Sequence, residues 1–122
     1  MAPSKTVPTN AHSVRPADIK LTMALGDSLS AGQGANGNMS LQCRGLTWEE
    51  GGDLGLDQHI TIPNILIKYN TNLFGQSHGI GPQNDWQVAY LNQAVPGQKA
   101  VDLRAQAYAL VNALKTHTES MP

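Results

Sequence analysis

The chain has 122 residues, 40% hydrophobic and 14% charged, enough for one small domain with a modest core and not for two. Its formal charge of -1, with no run of lysine or arginine, excludes an electrostatic nucleic-acid binder. One cysteine, Cys43, excludes an internal disulfide, and it reads either as an ordinary thiol or as half of a bridge whose partner lies outside this chain.

Residues 1–13 read as an irregular lead-in rich in Ser, Thr, Pro and Asn, and residues 14–122 as the folded portion. The lead-in lacks the apolar core of a signal peptide, and no segment is long and apolar enough to span a bilayer. Ile19 to Leu25 is a short apolar run with β-branched residues that stops at Gly26, the pattern of a buried strand. Ser28 to Gly37 starts like a helix and dissolves in glycine, and Asn36 to Asp57 reads as a long loop. Thr61 and Pro63 have the residue types of an N-cap and first turn, so a helix is expected there with Ile62, Ile65, Leu66 and Tyr69 as its apolar face. Gln87 to Val95 reads as a second strand, ended by Pro96-Gly97. A helix is then expected from about Lys99 to His117, with Leu103, Ala107, Leu110, Val111 and Leu114 on its buried face and Asp102 and Lys115 matching its dipole.

The order strand, helix, strand, helix is the opening of an α/β fold with a parallel sheet. Two strands make a poor sheet, so the unit is expected to be incomplete, and the chain by itself to be weakly stable, with a sheet edge and helix faces uncovered.

Two segments have chemical potential. Gly26-Asp27-Ser28-Leu29-Ser30-Ala31-Gly32 puts a serine just past the C-terminal end of a strand, the edge where α/β folds place their sites. Gly26 permits a sharp turn, Asp27 can tie the turn to neighbouring N–H groups, and the Ser28 N–H can face a developing oxyanion. The same residues also read as a plain strand-to-turn junction with a capping serine. Asn92 to Gly97 ends the second strand at the same edge, where Gly97 offers a second N–H; a simple strand-to-helix turn is its other reading.

Taken together, several segments resemble one family. Val14-Arg15-Pro16-Ala17-Asp18-Ile19-Lys20, Ala24-Leu25-Gly26-Asp27-Ser28-Leu29, Arg44-Gly45-Leu46-Thr47-Trp48 with Gly51-Gly52-Asp53, Ile62-Pro63-Asn64-Ile65-Leu66, and Leu91 to Gly97 followed by Asp102-Leu103-Arg104-Ala105-Gln106-Ala107 resemble the phospholipase B-like branch of the SGNH (GDSL) hydrolases in order and spacing. The resemblance implies a partial flavodoxin-like α/β/α sandwich, truncated after the second strand-helix unit. It implies hydrolysis of phospholipid or other acyl esters through an acyl-enzyme on Ser28, with the Ser28 and Gly97 N–H groups as oxyanion donors and no metal or cofactor. The family's Asn oxyanion donor and its Asp-x-x-His acid–base pair are absent from this chain, which by itself is expected to be inactive. The alternatives are a non-catalytic fragment or lipid-binding remnant, and an esterase of non-lipid acyl groups. The resemblance places the complete protein outside the cell or at a membrane. A lipid substrate implies membrane-surface contact, although no basic amphipathic helix here supplies it.

Other motifs lack the order, spacing or context that their chemistry needs. Asn84-Asp85 and Asp57-Gln58-His59 have the wrong order and spacing for the missing groups, and the latter pair reads as solvated loop. His12, His78 and His117 are isolated in polar contexts and read as surface residues, without ligand spacing for zinc. Gly32 to Gly37 spells G-x-G-x-x-G but does not open directly after the strand. Asn38-Met39-Ser40 is a glycosylation sequon that matters only for a secreted protein.

Overall fold

Residues 19–26 form the spine of the molecule, and a computed structural model describes them together with the rest of residues 1–122. The segment is extended but makes only isolated parallel bridges, Leu21 with Phe74 and Ala24 with Asn92. Thr22 N–H donates to Phe74 O at 2.9 Å, Phe74 N–H to Lys20 O at 2.9 Å, Ala24 N–H to Leu91 O at 3.1 Å, and Gln93 N–H to Ala24 O at 2.9 Å. All of these groups belong to even-numbered residues of the spine. Alternate residues of an extended chain present N–H and C=O to the same edge, so Phe74 and residues 91–95 lie end to end along one edge. Leu91 N–H joins the two pieces by donating to Gly75 O at 3.3 Å. Leu21, Met23 and Leu25, on the opposite edge, make no backbone hydrogen bonds.

Helix α1 spans Ile62–Leu66, α2 Trp86–Ala89 and α3 Leu103–Thr116, with short 3-10 turns at Ala11–Ser13, Pro16–Asp18, Arg44–Leu46, Ala100–Asp102 and Thr118–Ser120. Thr61 caps α1 as expected, its side chain accepting from Asn64 N–H. The buried residues of α1, however, are Pro63 and Asn64, while Ile62, Ile65 and Tyr69 are exposed. Asn64 explains the rotation, because its amide donates to Leu54 O and His59 O at 2.8 and 2.9 Å and draws that face under the preceding loop.

The expected strand over Gln87 to Val95 is corrected in its first half. Residues 86–89 are helical because the Asp85 side chain accepts from Gln87 N–H and starts a turn, and only residues 91–95 are extended. Tyr90 makes the change of direction with φ 48°, an uncommon value outside glycine. Its ring is held edge-on to Phe74 at 5.7 Å and against Trp86 at 5.3 Å. Helix α3 falls within the expected range, but of the expected face only Leu110 is buried; Leu103 and Val111 are exposed, and Gln106 takes the second buried place.

Buried apolar residues are mostly small: Ala17, Ala24, Ala31, Cys43, Leu73, Ala89, Leu91, Ala94 and Leu110. Thr22, Ser30, Arg44, Thr47, Glu50, Thr61, Asn64, Ser77, Asn92, Gln93 and Gln106 are buried beside them. Of 59 backbone hydrogen bonds, 46 lie outside regular elements, so turns and buried polar side chains, rather than a sheet, hold the chain together. Cys43 is buried, with its thiol free. The lead-in is tied back by Ser4, whose N–H and hydroxyl donate to Asp18 at 2.6 and 2.7 Å.

The outward apolar face of the spine stays uncovered. Ile19, Leu21, Met23 and Leu25 line, with Ile62, Leu66, Glu49 and Glu50, an open groove of about 460 Å³. No helix is long and apolar enough to cross a membrane.

Candidate active site

Two turns meet at the C-terminal ends of the paired extended segments. Val95 N–H donates to Gly26 O at 3.1 Å, the last bond along that edge. Ser28 follows Gly26 by two residues and Gly97 follows Val95 by two, so the structure brings both to one end of the spine. Neither Ser28 N–H nor Gly97 N–H donates to a protein group, which leaves both free for a ligand. Ser28 is half-buried, and Gly97 is exposed in a turn at φ 82°.

The Ser28 turn is shaped by its neighbours. Leu29 N–H donates to the Asp27 carboxylate at 3.0 Å, the local tie expected of that residue. Ala31 N–H donates to Asp27 O at 3.0 Å and Gln33 N–H to Ser28 O at 2.9 Å. A Cβ at Gly26 would run into the Ser30 side chain, so only glycine lets the turn close this tightly. A shallow cleft of about 340 Å³ opens beside the turn, lined by Gly26, Asp27, Ser30, Gln98, Lys99, Ala100 and Leu103.

A buried polar frame stands behind the turn. Asn92 donates from its amide to Ser30 O at 2.8 Å and accepts Ala94 N–H at 3.1 Å. Arg44, fully buried, spreads its guanidinium over Gly81 O (2.8 Å), Asn92 O (3.2 Å), Asn92 Oδ1 (3.3 Å), Gln42 Oε1 (2.7 Å) and Ala94 O (2.8 Å). Five acceptors match its five donors, and none is a carboxylate. Burial lowers the Arg44 pKa to about 10, so the group stays charged at neutral pH. On the other side, Gln106 accepts Gly26 N–H at 2.8 Å and donates to Gly26 O at 2.8 Å and to Gln98 Oε1 at 2.6 Å.

The carboxylate that reaches a serine of this turn is Glu49, and the serine is Ser30, not Ser28. Ser30 Oγ donates to Glu49 Oε1 at 2.8 Å, while Glu49 Oε2 is buried without a partner. Glu50 alongside it is buried and accepts the Thr22 hydroxyl at 2.6 Å. Burial raises its pKa to about 8, against the pull of the Thr22 bond and with a smaller push from Glu49.

No histidine hydrogen-bonds to Ser28. His59 is half-buried with its Nδ1 enclosed and unpartnered, rather than solvated as the loop reading expected. His78 is exposed but not isolated: its Nδ1 lies 3.6 Å from Asp53, and its ring meets Tyr90 edge-on at 5.8 Å. His117 is not a free surface residue either, because its ring stacks on Trp86 at 3.7 Å and 4°. Asp85, from the set-aside Asn84-Asp85 pair, is the cap of α2. Residues 32–37 form turns that open no helix, so the glycine-rich spelling has no phosphate-cradling geometry. No cluster of three or more His, Cys, Asp or Glu side chains is arranged to hold a metal.

Sequence reasoning about single residues missed Arg44, Glu50, Asn92 and Gln106 as parts of this frame. Arg44, Asn92 and Gln106 lie in segments quoted for the family resemblance, which assigns them no role, and Glu50 lies in none of those segments.

The chain is similar to the membrane-associated phospholipase B1 of Mus musculus, 49% identical over 121 residues that cover 94% of it. It is similar to the proteins of the same name from Homo sapiens, 47% identical over 120 residues and 93% of the chain, and Rattus norvegicus, 45% identical over 123 residues and 96% of the chain. It spans 8% of the length of each of these relatives. No family model and no solved structure matches.

Proposed function

We propose that residues 14–122 are the N-terminal portion of a phospholipase B-like hydrolase domain with the SGNH (GDSL) α/β/α architecture, and that Ser28 is its nucleophile. The observation that carries this reading is the Val95–Gly26 bond, which sets two turns with free N–H groups side by side at one end of the spine. The similarity to membrane-associated phospholipase B1 proteins supports lipid acyl esters as the substrate class and work at a membrane surface.

In this mechanism Ser28 Oγ attacks the ester carbonyl carbon as a base removes its proton. The carbonyl oxygen becomes an oxyanion and is held by the N–H groups of Ser28 and Gly97. The intermediate collapses, the C–O bond to the alcohol breaks, and the alcohol leaves with the proton. Water then attacks the acyl-serine by the same route in reverse and releases the fatty acid. Because no histidine of this chain touches Ser28, the base and its orienting carboxylate are assigned outside residues 1–122.

A fluorophosphonate probe tests this in the full-length natural protein carrying the chain. Labelling is expected to fall by roughly 10³-fold or more in Ser28→Ala. Undiminished labelling in that variant would remove Ser28 from the mechanism, and efficient labelling of residues 1–122 alone would refute the external base.

A further inference from the structure

We infer that Gln106 is a positioning residue that sets the spacing between the two oxyanion donors; this rests on the reading of Ser28 as nucleophile. Gln106 sits in α3, 80 residues from Gly26, and is 3% exposed. Its amide oxygen accepts Gly26 N–H, and its amide nitrogen donates one hydrogen to Gly26 O and the other to Gln98 Oε1. A single orientation of the amide satisfies the Gly26 pair, because reversing it would set donor against donor and acceptor against acceptor.

Gly26 stands two residues before Ser28, and Gln98 directly follows Gly97. One side chain therefore bonds the backbone of the first turn and, through the Gln98 side chain, reaches the second. The Val95–Gly26 bond ties the segments leading into those turns, and Gln106 ties them a second time from the helix side. Gly97 is exposed and has nothing within 4 Å of where a Cβ would stand. Oxyanion stabilisation depends on donors held in place before charge develops, and small displacements of such groups cost large factors in rate. A strut between the two turns meets that requirement.

The test uses the full-length protein and a short-chain p-nitrophenyl ester. Gln106→Met preserves length and removes all three bonds; kcat is expected to fall roughly 10- to 100-fold with KM within about twofold. Gln106→Glu retains an acceptor for Gly26 N–H, and its ionised carboxylate faces Gly26 O and Gln98 Oε1. Once protonated it regains one donor, so the ratio of its kcat to that of the wild type is expected to rise as pH falls. Wild-type kcat in Gln106→Met would overturn the inference. So would a loss of activity in Gln106→Glu whose ratio stays flat with pH, which marks a purely structural contribution. Activity retained in Ser28→Ala would instead sink the nucleophile reading, leaving a pH-dependent Gln106→Glu ratio as the separate mark of the strut.

Discussion

Replacing Glu50 by glutamine should remove the part of the pH dependence of stability that Glu50 contributes. The carboxyl is 1% exposed and bonded to Thr22 Oγ1 at 2.6 Å. Burial raises its pKa from the ordinary 4.5 to about 8. Between those values the folded chain keeps a proton that the unfolded chain has released, so stability is greatest below about 4.5 and declines as pH rises through about 8. At about 1.4 kcal/mol per pH unit, the whole interval corresponds to about 5 kcal/mol at most. That is comparable to the entire stability of a small domain, roughly 5–15 kcal/mol. Glutamine keeps an oxygen for the Thr22 hydroxyl and has no proton to lose. The two chains should therefore match near pH 4.5 and diverge towards pH 8, with Glu50→Gln the more stable. Urea denaturation at pH 5, 6, 7 and 8, followed by tryptophan fluorescence, measures the difference. Parallel stability profiles would refute a buried, protonated Glu50.

Arg44→Met should destabilise the chain by about 3–5 kcal/mol, because the carbonyls of Gly81, Asn92 and Ala94 lose their donor while one buried charge is removed. Arg44→Lys should recover less than half of that in the same denaturation assay, since an ammonium lacks the planar fork; a loss under about 1 kcal/mol in Arg44→Met would contradict the frame. Gly32→Ala should cost at least about 2 kcal/mol, because Gly32 has φ 72° and its Cβ would meet the Cys43 carbonyl. Gly37→Ala, at φ 91° with open space around it, should cost about 1 kcal/mol, and equal losses at the two sites would show that the close approach to Cys43 does not matter.

Local chemistry was the legible layer of the sequence. The Thr61 cap, the Asp27 tie and the extent of α3 followed from residue types whose preferences are set within one turn of backbone. The faces of the helices did not. Asn64 turns α1 by reaching two carbonyls of the preceding loop, and Gln106 occupies α3's buried side because its partners come from Gly26 and Gln98. The apolar run after Asp85 carried no period that separates a strand from a helical turn, and the cap decided it. Arg44 and Glu50 lie in a glycine-rich stretch that reads as a long loop. Their burial comes from long-range contacts, Arg44 with Asn92 and Ala94, and Glu50 with Thr22. The positions of Ser28 and Gly97 followed from the expected parallel pairing, and the bridges supply that pairing without a continuous ladder.

The 80-residue reach from Gly26 to Gln106 also has a consequence in time. A contact between distant parts of a chain must overcome loop closure before it returns any stabilisation, so it forms late. During synthesis the Gly26 turn emerges early, and its bonds to Gln106 wait until the helix carrying that residue has been made and docked. A nascent chain stopped before that helix would have its serine and both glycines yet lack the strut between the two turns. Assembly of this corner is thus gated by the arrival of α3 rather than by the first segment to appear.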